Sequence, residues 1–96
     1  MERVAVVTGA DRGLGLALTA RLAEDGWRVF AGQFMPDWPE LGEAAARFAE
    51  AVTVVPLDVS SETSAQLAAR RVGEATNHVD VLISNAGINS LSREQT

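Results

Sequence analysis

Short apolar runs alternate with helix-forming segments along this chain. Four short runs are predicted to be strands: "RVAVVT" (3–8), which is β-branched and continuous as in a strand that is buried on both faces of a sheet, "WRVFAG" (27–32), a run within "AVTVVPLDV" (51–59) and "VDVLIS" (79–84). The segments between them have apolar residues at helical spacing. Strands that alternate with helices predict an α/β fold of order β-α-β-α-β-α-β, with a parallel sheet and right-handed crossovers.

The predicted helices have recognisable faces and caps. Leu14, Leu18 and Leu22 lie four residues apart, as on the apolar face of the first helix. Asp37 precedes a short second helix as a candidate N-cap, and the serine pair at 60–61 can cap the third. From the leucine spacing, the first helix is expected to pack through Leu14, Leu18 and Leu22.

Composition excludes several classes of function. The chain has 96 residues, which is one domain or part of one, and 13 Asp and Glu against 8 Arg give a net charge of −5. This acidic balance disfavours nucleic acid and anionic membranes as partners. With no cysteine and only His78, neither a disulfide framework nor a Cys or His metal site is expected. No apolar run approaches the roughly 20 residues of a membrane helix, and no signal peptide is recognisable, so we expect a cytoplasmic protein.

Three glycines separate the first strand from the first helix. In "VVTGADRGLG" (6–15) they are Gly9, Gly13 and Gly15. In a doubly wound α/β fold this turn is where a dinucleotide phosphate docks, because the first helix points its free N–H groups and its positive dipole end at the ligand. The spacing is neither G-x-G-x-x-G nor a Walker A loop. Taken alone, it also fits an ordinary turn between a strand and a helix.

Two further features lie at the predicted carboxyl ends of strands. Asp58 follows the third strand in "LDV", and Asn85, Ala86 and Gly87 follow the fourth as "NAG". Each has an ordinary interpretation: an acid before a helix for Asp58, and an amide that bonds its own turn for Asn85. Together with the glycine turn, in this order, they indicate a dinucleotide site, since ligands bind at the carboxyl ends of the strands in such sheets.

In these motifs the sequence resembles the short-chain dehydrogenase/reductase family. "TGADRGLG" (8–15) is similar to the family's TGxxxGxG cofactor motif, "LDV" (57–59) to its adenine-contacting segment, and "NAG" (85–87) to its motif after the fourth strand. The resemblance covers essentially the whole chain. It implies a Rossmann-type doubly wound parallel sheet, incomplete here, with strand order 3-2-1-4. Residues 1–96 would be the N-terminal half of the NAD(P)-binding domain.

The resemblance also implies the residues that contact the cofactor. The glycine turn would surround the ribose and the pyrophosphate, Asp58 would accept a hydrogen bond from the adenine amino group, and Val59 would pack on the adenine ring. Asn85 would also help to fix the central sheet. The implied cofactor-binding set is Gly9, Asp11, Arg12, Gly13, Leu14, Gly15, Gln33, Asp58, Val59, Asn85, Ala86 and Gly87.

The expected cofactor is NADP(H), favoured over NAD(H). A carboxylate at the end of the second strand would hold the 2′-hydroxyl of NAD, but Gly32, Gln33 and Phe34 are not acidic. Arg12 precedes the second glycine, where similar NADP-preferring proteins often carry a basic residue, and a guanidinium can pair with a phosphate. A solvated turn arginine is the alternative for Arg12, and a basic residue after the second strand is missing.

The family's chemistry is hydride transfer between a nicotinamide and a carbonyl or alcohol carbon of a small molecule, with a Tyr, a Lys and a Ser as catalytic residues. This sequence contains no Tyr and no Lys, and Ser84, Ser90 and Ser92 come too early for the catalytic Ser. No catalytic residue is therefore assigned. We expect an incomplete enzyme, because the apolar fourth strand would otherwise be an exposed edge. The complete enzyme is expected to form homo-oligomers.

Two alternatives to an oxidoreductase remain open. The chain could be a non-catalytic dinucleotide-binding or regulatory module, or an interaction fragment whose open sheet edge pairs with another chain. The aromatic residues Trp27, Phe34 and Trp38 are expected to pack in the core or in loops rather than to form a substrate wall.

Overall fold

A four-stranded parallel sheet with three helices forms the part of the chain that the structure describes. The computed structural model describes residues 2–85. The strands lie in the order β3-β2-β1-β4, and each neighbouring pair is parallel, which confirms the predicted order. The elements in chain order are β1 (Val4–Thr8), α1 (Gly13–Glu24), β2 (Arg28–Gln33), α2 (Glu40–Arg47), β3 (Val52–Pro56), α3 (Glu62–Ala75) and β4 (Val81–Ser84).

Helices pack against both faces of the sheet, and most residues of the two central strands, β1 and β2, are buried. One core cluster joins β1 and β2 to α1 and α2, with Ala23 and Leu41 as the buried helix residues. The second joins Phe30 and Val55 on the other face to Ala68 of α3. This is the doubly wound arrangement that the continuous apolar runs predicted. Within residues 2–85, no helix is long and apolar enough to cross a membrane.

The apolar face of α1 differs from the predicted leucine stripe. Leu14 is 61% exposed, whereas Gly15, Thr19 and Ala23 are buried against the sheet. Small residues lie on this face because the start of α1 passes close to the turn after β1. Leu22 packs against the core cluster, so the prediction is wrong at the start of the helix and correct near its end.

The other two helices begin in different ways. Pro39, not Asp37, occupies the N-cap of α2, and no side chain caps this helix, which ends at Arg47. The predicted Asp37 cap is therefore wrong; Pro39 has the fixed φ that suits a helix start. At α3 the Ser61 side chain accepts a hydrogen bond from the Ser64 N–H at 3.1 Å, which confirms the predicted serine cap.

Candidate functional site

The turn from β1 to α1 requires glycine at two positions. Gly9 has a φ of 61° and Gly13 a φ of 58°, both in the left-handed region where a side chain is strained. No other residue type lets the chain bend here at so little cost. Thr8 therefore ends the strand and, five residues later, Gly13 opens the helix.

Gly15 is required by a close approach of backbone rather than by its own φ. A Cβ at this position would overlap the Gly9 carbonyl and lie 2.7 Å from the Asn85 amide nitrogen. The same amide nitrogen donates a hydrogen bond to the Gly9 carbonyl at 3.1 Å, and the Asn85 N–H donates to Thr8 Oγ1 at 2.9 Å. Asn85 therefore joins the end of β4 to the glycine turn, as expected for a residue that fixes the sheet.

The N-terminus of α1 is suited to bind an anion. Arg12 occupies the N-cap in extended conformation, its side chain does not cap the helix, and the first turn carries no acidic residue. The first N–H groups of a helix have no partner inside the helix, and the helix dipole adds partial positive charge there. A phosphate group that approaches this turn would meet both features.

Asp11 and Arg12 both reach the loop between β2 and α2. The Asp11 side chain is buried, with 4% exposure, and its Oδ2 accepts hydrogen bonds from the backbone N–H groups of Phe34, at 2.9 Å, and Met35. The Arg12 guanidinium carbon lies over the indole of Trp38, 4.9 Å from the ring centroid. The loop that follows Gln33, near which the adenosine ribose lies in this type of fold, is thus attached to the glycine turn.

Asp58 lies in the turn between β3 and α3. Its Oδ1 accepts hydrogen bonds from the Ser60 N–H at 2.9 Å and from the Ser60 hydroxyl at 2.6 Å, and its own N–H donates to Ser64 Oγ. These contacts are those of a turn acid before a helix, so its contact with adenine remains a prediction. Val59 beside it is 49% exposed and presents an apolar side chain for a ring to pack on.

The predicted site residues that can be described lie at the carboxyl end of the sheet. Gln33 is the last residue of β2, and the glycine turn, the Asp58 turn and Asn85 follow β1, β3 and β4, respectively. Ala86 and Gly87 lie outside the described residues. Cofactor contact by each member of the set remains a prediction, because the geometry shows only that they are gathered together.

Sequence reasoning missed the part that the β2–α2 loop plays. Trp38 packs in this loop beneath Arg12, and Trp27 packs against the core, both as expected. Phe34 is 55% exposed, so the expectation that it packs is wrong; its backbone N–H, not its ring, makes the contact with Asp11. The only feature of the sequence that indicates this contact is Asp11, an acidic residue within the glycine motif.

The sequence profile of the short chain dehydrogenase family matches residues 3–96. The chain belongs to this family. The protein is 36% identical over 94 residues to the short-chain dehydrogenase/reductase eriH of Hericium erinaceus, an alignment that covers 93% of this chain and 37% of the relative. The resemblance seen in the three motifs is confirmed.

Solved structures of other members show the same fold. A metagenomic short-chain oxidoreductase in complex with NADP matches with a TM-score of 0.77 at 31% identity, over 90% of this chain and 39% of the other. A 3-oxoacyl-[acyl-carrier protein] reductase from Brucella melitensis in complex with NAD matches with a TM-score of 0.75 at 26% identity, over 91% and 34%. The chain therefore spans between a third and two fifths of the length of these proteins.

Proposed function

We propose that this short-chain dehydrogenase chain supplies the cofactor-binding half of an NAD(P)(H)-dependent oxidoreductase. The complete enzyme would transfer a hydride between the nicotinamide and a carbonyl or alcohol carbon of a small molecule. The observation that carries this proposal is the glycine turn, in which Gly9 and Gly13 have positive φ and Gly15 allows a close approach of the Gly9 carbonyl that a Cβ would prevent. Family membership favours this function over a non-catalytic binding or interaction module.

The residues of the chain would bind and orient the cofactor. The uncapped N-terminus of α1 would receive the pyrophosphate, and the absence of a Cβ at Gly15 lets the turn pack closely enough to form that cradle. Asp58 and Val59 would contact the adenine, while Asn85 holds the turn in register with β4. When bound, the nicotinamide supplies or accepts the hydride. The 96 residues contain neither Tyr nor Lys, so no proton donor is assigned in them.

NADP(H) is proposed as the preferred cofactor. Gly32, Gln33 and Phe34, around the end of β2, offer no carboxylate to hold a 2′-hydroxyl or to repel a 2′-phosphate. Arg12 is exposed at the same edge of the sheet, within reach of the loop that follows β2. Related structures include complexes with NADP or NADPH and one with NAD, so the support for this choice comes from these residues.

Direct titration of the full-length protein tests both parts of the proposal. We expect saturable binding of NADPH and NADH, measured by nicotinamide fluorescence, with NADPH bound more tightly. Arg12→Ala should weaken NADPH about 10- to 100-fold, the loss expected of a charge-assisted hydrogen-bond pair, and leave NADH nearly unchanged. An NADH preference that Arg12→Ala does not alter would contradict the NADP assignment, and absence of binding by either cofactor would contradict the function.

Turnover separates the enzyme from its non-catalytic alternative. The full-length protein should oxidise NADPH in the presence of a panel of small ketones and aldehydes. Binding without turnover across that panel, and without the reverse reaction on the matching alcohols, would favour a binding module. A cytoplasmic location and assembly into a homo-oligomer are part of the same proposal; cell fractionation and mass measurement in solution test them.

A further inference from the structure

The β2–α2 loop is fixed by contacts on both its backbone and its aromatic side chain. The Asp11 carboxylate accepts hydrogen bonds from the backbone N–H groups of Phe34 and Met35. The backbone N–H of Trp38 donates to the Met35 carbonyl at 3.1 Å. The backbone from residue 34 to residue 38 is thereby attached to the glycine turn. Trp38 therefore has a defined place relative to Arg12, even though the two residues are 26 positions apart in the sequence.

The exposed Arg12 side chain lies over the indole of Trp38. The guanidinium carbon is 4.9 Å from the indole centroid, inside the roughly 6 Å range of a cation–π interaction. Within residues 2–85, Arg12 makes no ion pair with an Asp or Glu side chain. A guanidinium held over an aromatic ring still has N–H donors that can bind a phosphate in a bidentate manner.

We propose that Trp38 is a positioning residue that sets selectivity for the 2′-phosphate of NADP(H) by holding the Arg12 guanidinium. This inference rests on the proposed function and adds a residue to it. In this type of fold the ribose 2′ position lies beside the loop after β2, the loop that carries Trp38. By restricting Arg12 before the ligand arrives, the indole lowers the entropy that Arg12 loses when it binds the phosphate.

Asp11 contributes to the position of Trp38 in a different way, through hydrogen bonds to the loop backbone. Its carboxylate brings a negative charge near the loop, which would repel a phosphate, but two backbone N–H groups donate to it and offset that charge. Asp11 therefore anchors the segment that carries Trp38 instead of binding the cofactor's phosphate. A free carboxylate at the end of β2 would select NAD. Asp11 does not provide one, because its Oδ2 already accepts hydrogen bonds from the loop.

Cofactor titrations of the full-length protein test the role of Trp38. Trp38→Leu keeps apolar bulk but removes the aromatic face, and we expect it to raise the Kd for NADPH about three- to fivefold, the effect of an exposed cation–π pair, with little change for NADH. Trp38→Phe should restore the NADPH affinity to within about twofold of the original, because a phenyl face also attracts a guanidinium. In an Arg12→Ala background, Trp38→Leu should have no further effect on NADPH.

The chain contains a matched control for this pair. Arg3 lies over Trp27 with the same 4.9 Å separation, but Arg3 precedes β1 and Trp27 precedes β2, at the opposite end of the sheet. Arg3→Ala should leave the Kd of both cofactors unchanged. A change in the NADPH Kd like that of Trp38→Leu would show that loss of any Arg–Trp pair suffices and would overturn the inference.

Each remaining outcome supports or overturns the role of Trp38. The role is overturned if Trp38→Leu weakens the binding of NADPH and NADH equally, or weakens neither. It is also overturned if Trp38→Leu raises the Kd for NADPH as much in the Arg12→Ala background as in the parent protein. If circular dichroism shows that Trp38→Leu does not fold, Arg12→Lys decides: the ammonium lacks the planar fork, so NADPH selectivity should fall, and unchanged selectivity overturns the inference. A parent protein that binds NADH but discriminates against NADPH overturns this inference together with the NADP(H) preference and leaves the proposed oxidoreductase function standing. A parent that binds neither cofactor overturns the proposed function too.

Discussion

The two ends of the parallel sheet are built for different purposes. At the amino end, charged side chains bind the backbone of a strand and of a helix end: the Asp80 carboxylate accepts the Val4 N–H of β1 at 2.8 Å, and Arg28 donates to the Ala75 carbonyl at the end of α3. At the carboxyl end, side chains tie loops to one another, and the N-terminus of α1 is left without a side-chain cap. The amino end aligns strands, while the carboxyl end holds loops around a space suited to an anion. Changes at the two ends should therefore separate stability from cofactor affinity.

Asp11→Ala should have the largest combined effect of the three substitutions that compare the two ends. It removes the acceptor for the Phe34 and Met35 N–H groups, so we expect a loss of about 2 kcal/mol in the free energy of unfolding and a Kd for NADPH about tenfold higher, because the loop is released. Urea denaturation and cofactor titration measure the two effects. A variant that loses stability but binds NADPH as before would show that the loop takes no part in the site.

Asp80→Ala should lower stability without affecting binding. The substitution leaves the Val4 N–H without its carboxylate acceptor and removes the contact with His78, 3.3 Å away, at a cost of about 1–2 kcal/mol. The midpoint of urea denaturation should fall with an unchanged slope. Asp80→Asn keeps an acceptor oxygen and should recover much of the loss. A raised Kd for NADPH in either variant would contradict the separation of the two ends.

Glu2→Gln should have the smallest effect. Its carboxylate lies 3.6 Å from the Arg28 guanidinium and is about half exposed, so the pair contributes less than about 0.5 kcal/mol. Neither the denaturation midpoint nor the cofactor Kd should change measurably, and high salt should not alter that result. A destabilisation above about 1 kcal/mol would mean that charge pairs at the amino end matter more than their exposure indicates.

The sheet could be predicted from the sequence, as could the gathering of the candidate site residues at its carboxyl end, because both follow from local patterns. Continuous apolar strands, the glycines and the residues after each strand mark the parallel order and its carboxyl edge. The contact of Asp11 with the loop and the position of Arg12 over Trp38 could not be predicted. They depend on how a segment with two prolines and no periodicity folds back on the glycine turn. Leu14 was misplaced for a related reason, since close backbone packing at Gly15 outweighed the leucine spacing.

The affinity of a Gly15→Ala variant for NADPH tests the central claim most directly. Gly73→Ala is the matched control, because a Cβ at Gly73 in α3 meets nothing within 4 Å, whereas one at Gly15 overlaps the Gly9 carbonyl. In the full-length protein we expect Gly15→Ala to raise the Kd for NADPH by at least about tenfold, and Gly73→Ala to leave the Kd unchanged and to stabilise the helix by about 0.5–1 kcal/mol. A folded Gly15→Ala protein that binds NADPH as tightly as the Gly73→Ala control would contradict the assignment of the glycine turn as the cofactor site.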